Sequence, residues 1–411
     1  MTAVHPIARA WISTGGTGAP NYDEFADDGE ITAVIAANPR SALAVEMPHM
    51  SPESDAQTFA GALPQAAARL HAAQDDGAYR PHRDVVAAYR ITAGDGTRST
   101  GLFAMVATDE ISTNAQEPGQ VIRNEDVFLS KVRQRVALID ACDHLLSAVL
   151  LVQTQGASDF AALLGRVCAE AGKPDVIDHD AGGRVHEVWV VSEPGLVARL
   201  CALAGAGDLV VADGNHRSLA AQQAGLERFM AVITTAADLA LLPYQRLIAS
   251  WPAELGPLDE ALRAAGADVA LIEGPVETPP TAGVVHIYAA GQGYAVRLPR
   301  PKRPSSPAAG GTKRGGAVVE SMDHTLVEQV LFAQILGWDA GDERITYVGG
   351  DYSAEWLCAA VDDGRAAAAV LIAPVSVDDF VAVNVDRAAM PRKSTWFVPK
   401  ARAGLVLADL R

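Results

Sequence analysis

Long apolar runs, paired cysteines and glycine-rich nucleotide loops are all missing from this 411-residue chain, and each absence removes a class of protein. No unbroken apolar stretch reaches the ~20 residues a helix needs to cross a bilayer. The opening "MTAVHPIARAWISTGGTG" holds a short apolar patch and no cleavage pattern, so the sequence predicts neither a secretory peptide nor an anchor, and a cytoplasmic setting. Four cysteines, Cys142, Cys168, Cys201 and Cys358, stand far apart with no CxxC pair, which argues against a disulfide framework or a thiolate zinc site and for buried thiols. Ten histidines make neither HExxH nor HxH, so no permanently bound transition metal is expected. Basic charge is scarce: 33 Lys and Arg against 50 Asp and Glu leave a net −17, which repels a polyanion and makes nucleic acid an unsuitable partner. Neither GxxxxGK[ST] nor a GxGxxG before a helix occurs, so any nucleotide is held without the P-loop or Rossmann device.

What is present fits a compact protein: 49% hydrophobic and 20% charged residues, in a chain long enough for two or three domains. After an acidic, turn-rich start, "EITAVIAANP" predicts a helix stopped at Asn38-Pro39, and "SALAVEM" reads as a strand. "AQTFAGALPQAAARLHAAQDDG" predicts a helix ending at Gly77, and "VVAAYRITA" and "TGLFAMVAT" predict strands either side of the turn "GDGTR". Further helices ("ASDFAALLGRVCAEAG", "EPGLVARLCALAG") alternate with strands ("RVHEVWVVS"), which gives an α+β, mixed α/β architecture. Residues 299–316, rich in Pro, Gly, Ser and basic residues, predict a mobile loop or linker after a hairpin and before the helical "SMDHTLVEQVLFAQILG". The chain is therefore divided into segments 1–80, 81–250, 251–318 and 319–411.

Candidate chemistry concentrates in "DLVVADGNHRSLAAQQAG". A buried strand ending at Asp213 and a helix starting near Ser218 would set free backbone N–H groups and the positive end of a helix dipole at one turn, a place for phosphate or carboxylate. Gly214 permits close backbone approach, Arg217 brings a planar fork of donors, and His216 a titratable donor. Asp213 suits a metal ion or a proton to be accepted. The turn alone leaves another reading open, with Asp213 capping the helix and Arg217 pairing with a surface acid. Three further polar knots interrupt apolar text. Glu125 in "VIRNEDVF" projects from a strand end or starts a helix; Tyr244 and Arg246 lie in "LLPYQRLI"; and Lys393, Ser394 and Thr395 form either a phosphate-binding turn or an exposed loop.

In their order along the chain, "NPRSALAVEMP", "VIRNED…RVALIDA", "HEVWVV", "VVADGNHRSLAA", "LLPYQRLI" and "MPRKSTWFVPKARAGLVL" resemble the bacterial and archaeal family known as domain of unknown function 1015, over nearly the whole length. That resemblance implies a ParB-like and sulfiredoxin-like nucleotide-binding core, here 81–250, with added N- and C-terminal α/β segments. The same group includes free-serine kinases, which carry a glutamate, a DGxHR turn and a late KST or KTT element. The match implies that Glu125, Asp213, Gly214, His216, Arg217 and Lys393-Ser394-Thr395 converge. This chain departs from the pattern at Asn124 and Asn215, where histidine is usual.

The implied activity is transfer of a phosphoryl group from ATP or ADP, with Mg²⁺, to the hydroxyl of free L-serine. In that scheme Glu125 accepts the hydroxyl proton and Asp213 orients the hydroxyl or holds Mg²⁺, the two carboxylates being interchangeable. His216 and Arg217 stabilise the transferring group, while Gly214, Asn215, Ser218, Lys393, Ser394 and Thr395 bind phosphate and Tyr244 and Arg246 contact substrate. The implied partners are a nucleotide and a small amino acid, with no membrane, and association of like chains is compatible with the sequence. A nucleotide-binding regulator without turnover and a ParB-like DNA-binding switch are the alternatives.

Overall fold

The computed structural model describes residues 3–56, 58–112, 119–123, 127–300 and 314–411. The chain is a mixed α/β protein that divides into two compact units, and neither is one continuous stretch. The first comprises residues 1–123, 127–240 and 399–411; the second comprises 241–398 with 124–126.

The first unit is built on a large curled mixed sheet. Its elements are β1 (Ile7–Ser13), α1 (Asp28–Ala37), α2 (Ala42–Glu46), α3 (Phe59–Asp75), β2 (Tyr79–Thr92), β3 (Arg98–Ala107), β4 (Val121–Ile122), α4 (Leu129–Cys142), β5 (Val149–Gln153), α5 (Ala157–Glu170), β6 (Val185–Val191), α6 (Pro194–Ala204), β7 (Leu209–Asp213), α7 (Asn215–Gln223) and β8 (Arg228–Thr235). Neighbours in the sheet run β4-β7-β5-β8-β3-β2-β1, followed by the strand Val406–Asp409, and β6 joins along β2. β7 is antiparallel to β5, and β5 is parallel to β8.

Local sequence explains these elements. The turn between β2 and β3 is tightened by Asp95, which accepts the Thr97 N–H, so the expected hairpin forms with Ala93 to Thr97 at its tip. Glu193 caps α6 through the N–H groups of Gly195 and Leu196, with Pro194 at the first helical position, where its missing N–H loses nothing. Asp27 and Thr58 cap α1 and α3 in the same way, and α1 stops at Asn38. The faces of α5 and α6 that carry Phe160, Leu164 and Leu200 pack with Leu151, Leu209, Val211 and Ile233 in one core.

One expectation is overturned here. "SALAVEM" is not a strand: Ala42–Glu46 forms a short helix with every residue buried. Ala, Leu and Glu are strong helix formers, and when both sides of a segment are buried, alternation carries no information about period.

The second unit holds an antiparallel sheet ordered Asp268–Leu271, Gln292–Arg297, Val285–Ala289, Ala368–Leu371, Gln245–Ile248 and Ile345–Val348. The expected hairpin is its Val285–Ala289 and Gln292–Arg297 pair. Of the stretch expected to be a loop, 301–313 lies outside the described residues, and 314–316 belong instead to the helix Arg314–Ser321. The helical text after it begins as Asp323–Leu326 and continues as a π-helix, Val327–Leu336. Cys142, Cys168 and Cys201 are buried and all four cysteines are free. Among the described residues no helix is long and apolar enough to cross a membrane.

Candidate active site

The turn after β7 is set by its backbone. The β5–β7 ladder shifts register between Val211 and Asp213, and Gly214 follows with φ 95°, in the left-handed region. A Cβ there would sit 3.2 Å from the Arg217 guanidinium carbon and from the Val149 Cα, so side-chain-free backbone is required on both counts. Helix α7 starts at once, with Ser218 N–H closing its first bond to the Gly214 carbonyl. The first-turn N–H groups ahead of Ser218 have no partner within the helix, as at any helix start.

Asp213 does not cap α7. Its Oδ1 accepts from Lys400 Nζ at 2.6 Å, and its Oδ2 is ion-paired with Arg217 Nη2. Burial alone would raise its pKa, yet Lys400 and then Arg217 hold it below the ordinary carboxylate value, so the group is ionised at neutral pH. Arg217 is 8% exposed; Nη1 donates to the Ala148 carbonyl and, at 3.3 Å, to Asn21 Oδ1. His216 accepts the Phe128 N–H on Nε2 at 2.9 Å, with the Phe128 ring stacked 5.9 Å away, which fixes a neutral imidazole carrying its proton on Nδ1. Ser218 is fully buried and donates to the Asn215 carbonyl. Asn215, 7% exposed, keeps its Oδ1 without a partner among the described residues.

Two residues that the sequence did not single out complete this cluster. Lys400 comes from "VPKARAG", and Glu24 from "NYDEF". Glu24 Oε1 accepts from both the backbone N–H and the Nδ2 of Asn21, at 2.7 and 2.6 Å. Burial pushes its pKa up to about 7, with Asp213 adding to the rise and Lys400 opposing it. A lone lysine and one acid in an acidic run carry no sequence signal of their own; only the spatial neighbour gives them meaning.

The Glu24 shift fixes a sign. Between the ordinary value of 4.5 and about 7 the unfolded chain has released a proton that the fold retains, so raising the pH through this window withdraws stability. Glu24→Gln keeps the acceptor for Asn21 and does not titrate. Urea unfolding should therefore show the variant gaining on the wild type between pH 4.5 and 7, by about 2–3 kcal/mol, with a nearly constant gap above that. A gap independent of pH would rule out the raised carboxyl.

Mg²⁺ does not fit at Asp213. Both of its oxygens already carry a cationic partner, and among the described residues no group of three or more His, Cys, Asp or Glu stands together as a metal site.

The remaining candidates lie in the second unit. Arg246 is fully buried; Nη1 donates to the Tyr244 and Gln245 carbonyls and Nη2 to the Arg392 carbonyl, and its guanidinium lies 4.3 Å from the Tyr347 ring centre. Arg246 thus clamps the loop that carries Lys393, whose Nζ lies 5.3 Å from the Tyr244 ring centre and whose φ is 50°. Ser394 is fully buried, with an Oγ unpartnered among the described residues, and Thr395 is 8% exposed. Glu125 lies outside the described residues, as does Asn124.

Residues 17–325 match the family described as "Protein of unknown function (DUF1015)". The chain belongs to that family. No curated protein matches it. Among solved structures this DUF1015 chain is similar to a conserved hypothetical protein from Pyrococcus furiosus, at 13% identity and TM-score 0.40, over 74% of this chain and 95% of that one. It is also similar to a free serine kinase in complex with AMP, at 12% identity and TM-score 0.39, over 74% and 92%. A third is SbnI with a C-terminal truncation from Staphylococcus aureus, at 12% identity and TM-score 0.40, over 74% and 87%.

Proposed function

We propose that the protein is a small-molecule kinase, transferring a phosphoryl group from ATP or ADP to the hydroxyl of free L-serine. One observation carries the reading: an ionised Asp213 held between Lys400 and Arg217 at the tip of β7, followed by left-handed Gly214 and the first turn of a nine-residue helix. That arrangement supplies the requirements of phosphoryl transfer, a fixed carboxylate to orient a hydroxyl beside a field of backbone donors and cations that favours phosphate.

Roles divide by proton affinity. Asp213, its pKa lowered, is a poor base but a good acceptor, since each oxygen retains a lone pair for a substrate hydroxyl. Glu125 is the base in this scheme. Arg217 then acts on the reaction mainly by holding Asp213 in place, His216 holds Phe128, and phosphate meets the first-turn backbone of α7 with Lys400 beside it. Lys393, Ser394 and Thr395 hold phosphate or the amino-acid carboxylate. Magnesium enters as the counter-ion of the nucleotide, without Asp213 as its ligand.

The test is formation of O-phosphoserine by the purified chain with Mg²⁺ and ATP or ADP in turn, across a panel of free amino acids, with Glu125→Ala, Asp213→Ala and Arg217→Ala as controls. Serine-dependent turnover that each variant lowers at least 100-fold is expected. Nucleotide binding without turnover for any amino acid would replace this reading with a regulatory one.

A further inference from the structure

One amide outside the sequence motifs reaches toward both cations that hold Asp213. Asn21 lies in the loop between β1 and α1 and is 2% exposed. Its Nδ2 donates to Glu24 Oε1 at 2.6 Å and to the Ala401 carbonyl at 3.1 Å, and its Oδ1 accepts from Arg217 Nη1 at 3.3 Å. Chemistry fixes the orientation of this amide, because a guanidinium only donates and a carbonyl only accepts. Flipped, it would set its oxygen against the Ala401 carbonyl and its own N–H groups against Arg217. The loop is anchored as well. Asn21 N–H donates to Glu24 Oε1 at 2.7 Å, Glu24 N–H returns to the Asn21 carbonyl at 3.1 Å, and the Tyr22 ring centre lies 4.0 Å from the guanidinium of Arg135, which is itself 5.0 Å from that of Phe59.

Both arms of the amide lead to Asp213. Arg217, held at Nη1 by Asn21 and the Ala148 carbonyl, presents Nη2 to Asp213 Oδ2. A second carboxylate competes for that nitrogen, since Asp23 Oδ1 lies 3.9 Å from it. With Nη1 tied down, turning the planar fork toward Asp23 would break its other bonds, so it stays on Asp213. The second arm ends on Ala401, next to Lys400, whose Nζ meets Asp213 Oδ1. Lys400 belongs to no strand and has no ladder of its own to place it. The chain just beyond it is paired instead with the loop that carries Asn21: Ala19 and Ala403 exchange backbone bonds at 3.1 and 2.9 Å, and Arg402 Nη2 donates to the Gly18 carbonyl at 2.8 Å.

We propose that Asn21 is a positioning residue of this site, a single buried amide that fixes Arg217 and the Lys400 segment together against Asp213. It acts through the two cations rather than on a reacting atom. For its bearing on catalysis the inference rests on the phosphoryl-transfer reading; the tie between Asn21 and the two cations stands without it.

The experiment is ¹⁵N NMR of the full chain, with the Arg217 and Lys400 side-chain signals assigned by their loss in Arg217→Lys and Lys400→Met. In the unmodified chain the two Nη groups of Arg217 should give separate signals, because bonds on both of them block rotation of the guanidinium. In Asn21→Ala those signals should merge, and the Lys400 ammonium protons should exchange with water roughly tenfold faster or more. Asn21→Asp, close in shape but without a donor for Ala401, should have the same effect on Lys400. Asn21→Ser, the mildest change, keeps the comparison open where either of the others fails to fold. Initial rates with ATP or ADP and serine should show kcat lowered about tenfold or more and the KM for nucleotide little changed. An amide that served only the fold would lower the melting temperature and leave both sets of signals, and the kcat of the folded fraction, as they were. Merged Arg217 signals in the unmodified chain, or signals unchanged in a folded Asn21 variant, would overturn the inference. The two readings fail separately. A chain with the expected spectra that never phosphorylates serine loses the kinase and keeps the tie on Asp213; serine phosphorylated at wild-type kcat by Asn21→Ala removes Asn21 from catalysis and leaves the kinase.

Discussion

Asparagine at position 213 should destabilise the fold by about 3–5 kcal/mol, the range expected when one member of a buried ion pair is removed and its partner charges stay behind. Arg217 and Lys400 would then face a neutral amide, each less than one-tenth exposed at its side chain. The pH dependence carries the sign. Ionised Asp213 contributes its full stability above the unfolded carboxylate value of 3.8, and that contribution is lost as the pH falls through the lower folded value. The difference between wild type and Asp213→Asn, followed by urea midpoints, should hold constant near neutrality and narrow in acid. Phosphoryl transfer should fall roughly 10²–10⁴-fold under conditions where the variant is still folded. A variant with wild-type turnover would remove Asp213 from the chemistry whatever its part in the fold.

The second large effect is at Arg217. Methionine keeps much of its stem but leaves the Ala148 carbonyl, Asn21 and one oxygen of Asp213 without their donor, a loss again of about 3–5 kcal/mol. Lysine separates two roles. A guanidinium that works by holding Asp213 can be replaced in part by an ammonium point charge, so Arg217→Lys should keep measurable transfer with kcat lowered and the KM for nucleotide little changed. One that clasps phosphate oxygens directly would instead show a KM for nucleotide raised tenfold or more, because the planar fork is lost. The burial of Arg217 and its three acceptors favour the first outcome.

How much of this was legible in the sequence depended on how local the cause was. The β7 turn could be read because a run of β-branched residues, an acid, a glycine and a helix-forming tail sit within a few positions, and each acts on its neighbours. The capped helices α1 and α6 were readable for the same reason. Segment Ala42–Glu46 was misread because a pattern of burial on one face vanishes when both faces are buried. The partners of Asp213 were only half legible. Arg217, four residues on, falls within reach along one helical turn, while Lys400 is brought in by sheet pairing far along the chain. Arg135 reads in sequence as one more basic residue on an amphipathic helix, and nothing local says that it is buried between aromatic rings.

The interruption of the first unit by residues 241–398 has a consequence for synthesis on the ribosome. Asp213 leaves the exit tunnel 187 residues before Lys400, the ion that meets its Oδ1. At elongation rates of about 5–20 residues per second, roughly 10–40 s pass while the nascent turn lacks that counter-charge and the second unit is still being made. During that interval Arg217, four residues on, is the cation already at hand for Asp213. Arrival of the 399–411 segment then supplies Lys400, so the charges around Asp213 are complete only after the inserted unit has been made.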